Sequence, residues 1–288
     1  MIKEDHFIVL GGHKCGTTSL HSYLEQHPEI CLPKIKGQDF FSRMGNRNNQ
    51  LFRKFEDYIA SYDETELLKS KVTGEVSSVY LYSDKARQLI KQYLPDAKLV
   101  VILRNPVDRS ISHFLQTIEI GSSDNIDFQD IFSPAREQEG VLKLSFYSQA
   151  IQKYLEEFPK KNLKFVLFDS LIKRANFVDL FEFIGVDTKF KPDTSFIIRK
   201  GGVIDDQSNK MLKHFQSSIG KLLKPVTTEE QRRLMTIKAR NYLTKKIEVP
   251  QSIKDELMDL YREEIVKIQG LTGMDLSKWL AEKPKVID

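Results

Sequence analysis

Phe7-Ile8-Val9-Leu10-Gly11-Gly12-His13-Lys14-Cys15-Gly16-Thr17-Thr18-Ser19-Leu20 is the stretch whose reading decides the fold. An apolar run enters a glycine-rich turn, and hydroxyl residues then open an apolar-periodic segment. This is a strand, a phosphate-binding loop and a helix, with backbone N–H groups and a helix N-terminus turned to an anion. The pattern G-x-x-x-x-G-K-[ST] of nucleoside triphosphatases can be laid on Gly11 to Thr18, but Thr17 stands where lysine is required. The loop's lysine, Lys14, lies upstream, inside the turn. A phosphate-like group is expected here, held by chemistry unlike that of a β/γ-phosphate and Mg²⁺ cradle, and this weakens a reading as a small-molecule kinase.

Outward from that stretch, Lys98-Leu99-Val100-Val101-Ile102-Leu103 reads as a buried strand and runs into Arg104-Asn105-Pro106-Val107-Asp108-Arg109-Ser110-Ile111-Ser112-His113. An arginine at the carboxyl end of a parallel strand, followed by hydroxyls and a second arginine, suits a second phosphate. Further strand signals fall at about 6–10, 29–32, 71–74 and 163–168. Helical patterns lie between them at 19–26, 83–93, 107–120 and 145–158. From about Val203 onward the pattern is mainly helical, clearest at 205–223 and 252–269. The expected class is α/β: a P-loop-like central parallel sheet flanked by helices, with a helical C-terminal part. One domain over 1–288 is expected, with an α/β core in 1–202 and a mainly helical part in 203–288. Asn46–Gln50 and Gly121–Asn125 read as polar substrate-side loops.

The two phosphate segments resemble those of the sulfotransferases that use 3′-phosphoadenosine 5′-phosphosulfate (PAPS), in the bacterial and heparan-sulfate-type branch. Gly12-His13-Lys14-Cys15-Gly16-Thr17-Thr18-Ser19-Leu20 is similar to the family's G-x-K-x-G-T-T-x-L, and Arg104-Asn105-Pro106 with Arg109 and Ser112 to its R-N-P-x-x-R-x-x-S. Gly74-Glu75-Val76-Ser77-Ser78-Val79-Tyr80-Leu81 resembles G-E-x-[ST]-P-x-Y-L, with Ser78 in place of proline. Leu271 to Trp279 resembles the C-terminal ending of such enzymes.

The resemblance implies a PAPS donor, with 3′,5′-diphosphoadenosine (PAP) as product. It puts the 5′-phosphosulfate on Gly12, His13, Lys14, Cys15, Gly16, Thr17, Thr18 and Ser19. Arg104 and Ser112 fall to the 3′-phosphate, and Arg199-Lys200-Gly201 to a segment that closes over it. Arg109 could equally serve an acidic neighbour. Lys14 is the expected leaving-group cation. The family's K-E-x-x-F-F is altered here to Lys36-Gly37-Gln38-Asp39-Phe40-Phe41, so the usual base is replaced by Gly37. Asp39 and Glu75 are the candidate bases. Asp39 could instead be a turn residue, and Glu75 a structural ion-pair partner. In an extended segment, Gly37 and Asp39 would project to the same side. An amine acceptor would relax the need for a base.

Composition bounds the rest. The chain has 288 residues, 44 basic and 40 acidic side chains and a net charge of +4, too balanced to imply nucleic acid. Two cysteines, Cys15 and Cys31, make no disulfide framework. Neither a signal-peptide core nor a membrane-spanning apolar run is apparent, so a soluble cytoplasmic enzyme is expected. HExxH and paired-cysteine spacings are absent, so no metal is expected. The expected partner is a small-molecule acceptor, such as a natural product, or a glycan. A PAP-binding protein without catalysis is the alternative from another class.

Overall fold

The computed structural model describes residues 2–44, 54–118, 126–173, 177–194, 204, 206–214, 217 and 229–281. Its contacts cluster in two units. The first comprises Met1–Asn105, Phe146–Thr194 and Glu263–Trp279, and the second Pro106–Ser145, Ser195–Arg262 and Leu280–Asp288.

The first unit is built on five parallel strands: β1 (His6–Gly11), β2 (Ile30–Cys31), β3 (Val72–Val76), β4 (Lys98–Leu103) and β5 (Leu163–Leu167). Their order is β2-β3-β1-β4-β5. The chain therefore crosses over β1 on its way from β3 to β4, and β1 occupies the centre with β3 and β4 beside it. In open sheets of this kind ligands gather beyond the strands' carboxyl ends, where the order reverses.

Alternation along the strands divides the two faces. Phe7 and Val9 of β1, Val72 and Val76 of β3, and Val100 and Ile102 of β4 share one buried cluster. Leu20, Tyr23 and Leu24 of helix α1 (Thr17–Leu24) pack there, with Phe177, Leu180, Phe181 and Ile184 from and beside the helix Val178–Ile184. Each such side chain, fully buried, is worth about 1.5–3 kcal/mol. The facing row carries His6, Thr73 and Glu75, all buried. His6 Nδ1 hydrogen-bonds the Thr73 hydroxyl at 2.7 Å, and Nε2 that of Tyr58 at 3.0 Å. Tyr62 donates to the Tyr58 oxygen at 2.9 Å.

β3 runs two residues further than its 71–74 signal, because Glu75 and Val76 pair with Ile8 and Val9 of β1, and Gly74 lies inside the strand. A Cβ at Gly74 would stand 2.2 Å from the Phe7 ring, so the large aromatic on β1 requires glycine beside it. Helix Ser148–Glu157 is capped from a distance: the Glu264 carboxylate accepts the Ser148 amide at 2.6 Å and its hydroxyl at 2.7 Å.

The second unit contains the helix Pro106–Thr117, the first part of the helix Gln251–Thr272, and the described parts of Asp206–His214 and Glu229–Leu243. Arg109 is wholly buried in it. Its guanidinium donates to the Ser145 hydroxyl and the Val141 carbonyl, and sits 3.4 Å from His113 Nδ1. Ser110 bridges Ser145 at 2.7 Å and Tyr261 at 2.8 Å. Arg109 thus fastens the 141–145 segment to its helix, a structural use of the second arginine in the R-N-P motif.

Candidate active site

The loop after β1 is tightly specified by its glycines. A Cβ at Gly12 would lie 2.9 Å from the Tyr82 hydroxyl and 3.3 Å from both Cys15 Sγ and the Tyr147 ring. The Gly12 amide donates to the Ile102 carbonyl at 3.0 Å, which anchors the loop on β4, and the Cys15 amide closes a turn on the Gly12 carbonyl at 3.1 Å. Cys15 is buried, with Sγ 3.8 Å from the Tyr147 hydroxyl, so its thiol is a packing group of the loop.

Lys14 has φ +64, a left-handed conformation that costs a non-glycine residue about 1–3 kcal/mol. Arg104, just past the end of β4, braces it: Nη1 donates to the Lys14 carbonyl at 3.0 Å. The Arg104 guanidinium lies 4.8 Å from the Phe168 ring centre, and Tyr147 donates to the Arg104 carbonyl at 3.1 Å. Arg104 Nε is buried and has no hydrogen-bond partner among the described residues. Lys14 and Arg104, placed in separate motifs by the sequence, are therefore brought into direct contact.

Gly16 takes φ +80 as the N-cap of α1 and offers no side-chain cap. The first amides of a helix have no intrahelical partner, and the helix dipole favours negative charge at that end. The Thr17, Thr18 and Ser19 amides occupy this position, Thr17 and Ser19 with buried side chains. Lys36 Nζ donates to the Thr18 hydroxyl at 3.3 Å, a contact that motif spacing alone did not single out. The donors placed here fit a phosphosulfate: amides at a helix N-terminus, the Lys36 ammonium and the Arg104 guanidinium.

The segment after Lys36 is not extended. Gly37 has φ +71 and Asp39 φ +51, so strand alternation does not place their side chains on one side, and the expectation built on it is corrected. Asp39 precedes the short helix α2 (Phe40–Arg43) in a left-handed conformation, a state Asp tolerates better than most residues. Phe40 and Phe41 are fully buried against Tyr58, and Phe41 also against Tyr80; they pin the turn. Asp39 Oδ1 accepts from the Ser77 hydroxyl at 2.9 Å, and Oδ2 lies 3.6 Å from the Arg43 guanidinium.

Glu75 on β3 is only 3% exposed. Tyr80 donates to its Oε1 at 2.7 Å, while Oε2 makes no hydrogen bond among the described residues. Burial pushes its pKa up to about 8; the Tyr80 hydroxyl and then the Tyr58 hydroxyl oppose this, and the Asp39 charge adds to it. At neutral pH Glu75 keeps its proton, which fits a structural role better than that of a base. The same Tyr80 oxygen accepts the Phe41 amide at 3.1 Å, so Glu75 and the Asp39–Phe41 turn are joined through one hydroxyl.

Ser112 is half-buried on the helix Pro106–Thr117 in the second unit. Arg199, Lys200 and Gly201, and the loops 46–50 and 121–125, lie outside the described residues.

The family model of the sulfotransferase domain matches residues 4–265, and the chain belongs to that family. Among curated proteins, heparan sulfate glucosamine 3-O-sulfotransferase 6 of Mus musculus is 26% identical over 171 residues, 57% of this chain and 47% of that protein. Membrane-associated sulfotransferase kil1 of Dictyostelium discoideum is 33% identical over 115 residues, 40% of this chain and 23% of that protein. The chain thus spans less than half the length of either. The crystal structure of a sulfotransferase from Alicyclobacillus acidocaldarius shares the fold, with a TM-score of 0.67 at 24% identity over 95% of this chain and 97% of that one. Among the described residues no helix is long and apolar enough to cross a membrane, and no group of three or more His, Cys, Asp and Glu side chains is arranged to hold a metal ion.

Proposed function

We propose that residues 1–288 act as one PAPS-dependent sulfotransferase domain that moves a sulfuryl group to a hydroxyl or amine of a glycan or small-molecule acceptor. The observation that carries this reading is the hydrogen bond from Arg104 to the Lys14 carbonyl, which joins the two phosphate motifs at the carboxyl ends of β1 and β4. A glycan acceptor is favoured because relatives are named for action on heparan sulfate glucosamine and on carbohydrate.

The α1 amides and the Thr17 and Thr18 hydroxyls are suited to the 5′-phosphate. Arg104 is assigned to the 3′-phosphate by its free Nε and by the family motif; Ser112, Arg199, Lys200 and Gly201 are assigned by the motif alone. PAPS supplies the activated sulfuryl group. Lys14 holds positive charge where the leaving phosphate oxygen becomes negative. Asp39, held by Ser77, takes the acceptor proton. Glu75, keeping its own proton, holds Tyr80 and through it the turn that carries Asp39.

One observation favours a second reading, PAP binding without catalysis. Gly37, where the family has its base, has an exposed backbone and nothing within 4 Å of where a Cβ would be. Titration calorimetry with PAP and ADP tests the donor reading, with PAP expected to bind at least tenfold tighter. Equal affinities would remove the 3′-phosphate site. Turnover of PAPS with desulfated heparan oligosaccharides then separates an enzyme from a binding protein.

A further inference from the structure

We infer that Lys36 is a second catalytic cation, one that binds the sulfuryl oxygens of the donor, and this rests on the PAPS reading above. The loop leading to α2 carries two nearby lysines, Lys34 and Lys36, and the structure gives them different work. Lys34 lies 3.4 Å from the Asp63 carboxylate, with both side chains largely exposed, an ordinary surface pair. Lys36 is half-buried and reaches the opening turn of α1, where it donates to the Thr18 hydroxyl at 3.3 Å.

That bond has a chemical consequence. An ammonium has three protons and no acceptor. By filling a lone pair of Thr18 Oγ1, Lys36 leaves the threonine its own proton to donate. The ammonium, the hydroxyl and the first amides of α1 together form a donor-rich patch suited to an anion with several oxygens. Lys14 stands on the other side of Gly16 in sequence, in the turn braced by Arg104. The two lysines thus come from different segments, Lys36 at the first turn of α1 and Lys14 in the turn before it, and we divide the work between them: the leaving oxygen to Lys14, the group in transfer to Lys36.

Lys36 also precedes Asp39 by three residues, and the turn between them is fixed by Phe40, Phe41 and the Ser77–Asp39 bond. One short loop therefore holds the cation for the sulfuryl group and the base for the acceptor. In the step, the acceptor oxygen or nitrogen forms a bond to sulfur while the bond from sulfur to the 5′-phosphate oxygen breaks. That electron pair stays on the phosphate oxygen beside Lys14, and the acceptor proton goes to Asp39. Charge on the three sulfuryl oxygens is met by Lys36 and Thr18.

The test is titration of PAPS and PAP, which differ only in the sulfuryl group, into the full-length wild type, Lys36→Met and Lys36→Arg, with thermal melts to establish folding. The Met variant is expected to lose about tenfold or more in PAPS affinity and less than about twofold in PAP affinity; the Arg variant, which keeps charged donors, is expected to lose much less. Equal loss for the two ligands would place Lys36 on the 5′-phosphate and overturn the inference, as would no loss for either. A wild type that binds both ligands with a Met variant that discriminates neither overturns only the role of Lys36. A wild type that binds neither ligand overturns the donor reading, and this inference with it.

Discussion

Replacing Glu75 by Gln separates two roles that a buried carboxylate beside a candidate site can have. The amide keeps the shape and the acceptor for the Tyr80 hydroxyl, and removes the titration. In the wild type, burial lifts the Glu75 pKa from the usual 4.5 to about 8. A raised pKa means that the fold binds a proton the unfolded chain has released, so stability from this group is intact below about pH 4.5 and is lost as pH rises to 8. At about 1.4 kcal/mol per pH unit the whole effect has an upper limit on the order of 5 kcal/mol. His6, in the same polar row, works in the opposite sense. Burial lowers its pKa to about 3, so the fold resists its protonation and stability falls as pH drops from 6.5 toward 3. The two effects oppose each other between about 4.5 and 6.5, and above that Glu75 alone acts. Urea unfolding of the wild type at a series of pH values is expected to show stability falling between pH 6.5 and 8 by up to about 2 kcal/mol. Glu75→Gln is expected to flatten that fall while keeping PAPS turnover within about tenfold of wild type, short of the loss that removal of a general base brings. Parallel curves for the two proteins would refute the burial argument, and loss of turnover by more than about a hundredfold would make Glu75 the base.

Arg104→Ala is expected to weaken PAP by about tenfold or more and leave ADP nearly unchanged, by calorimetry, because one charge-assisted contact to the 3′-phosphate is lost. Lys14→Ala is expected to cut turnover more than it weakens PAP, since its charge matters most as the leaving oxygen becomes negative; steady-state rates beside PAP titrations check this, and equal losses would assign it to ground-state binding. Asp39→Asn is expected to lower steady-state turnover by about 10²–10⁴-fold at saturating PAPS, with PAP affinity preserved. An unchanged rate there would point to an amine acceptor that needs no base.

The sheet was legible because its strands are simple physical objects. β1 and β4 are unbroken apolar runs, as strands covered on both faces must be, and both fall where the pattern puts them. β2 pairs over only Ile30–Cys31, shorter than its apolar signal. β3 continues past its 71–74 signal to Val76, because Glu75 and Val76 pair with Ile8 and Val9 of β1, and the Phe7 ring that requires glycine at 74 lies far away in sequence. α1 begins at Thr17 instead of Ser19 because Gly16 takes the left-handed cap. The glycine-rich turn between β1 and α1 was readable from spacing. The conformation at Gly37 and Asp39 was not, because two positive φ values close together depend on where Phe40 and Phe41 are buried. The Lys36–Thr18 bond depends on that turn and was equally invisible in the pattern.

The carboxylates and cations of the site form one electrostatic arrangement. A sulfuryl donor is a polyanion, and two carboxylate charges close to it would oppose binding and transfer alike. The fold carries two carboxyl groups there but keeps one neutral: Glu75 is sealed on β3, and its proton is retained by burial at neutral pH. Tyr80 then transmits position without charge, holding the Phe41 amide while it donates to Glu75. Asp39 is tied to Ser77 on one oxygen and faces Arg43 on the other, so its charge is shared with a cation. The Arg104 guanidinium donates to the loop at the Lys14 carbonyl, and the Lys36 ammonium to the first turn of α1. On the proposed reading, cationic donors at the anion end and the Asp39 carboxylate at the acceptor end give the polarity sulfuryl transfer needs, since negative charge moves toward the leaving phosphate while a proton moves away from the acceptor.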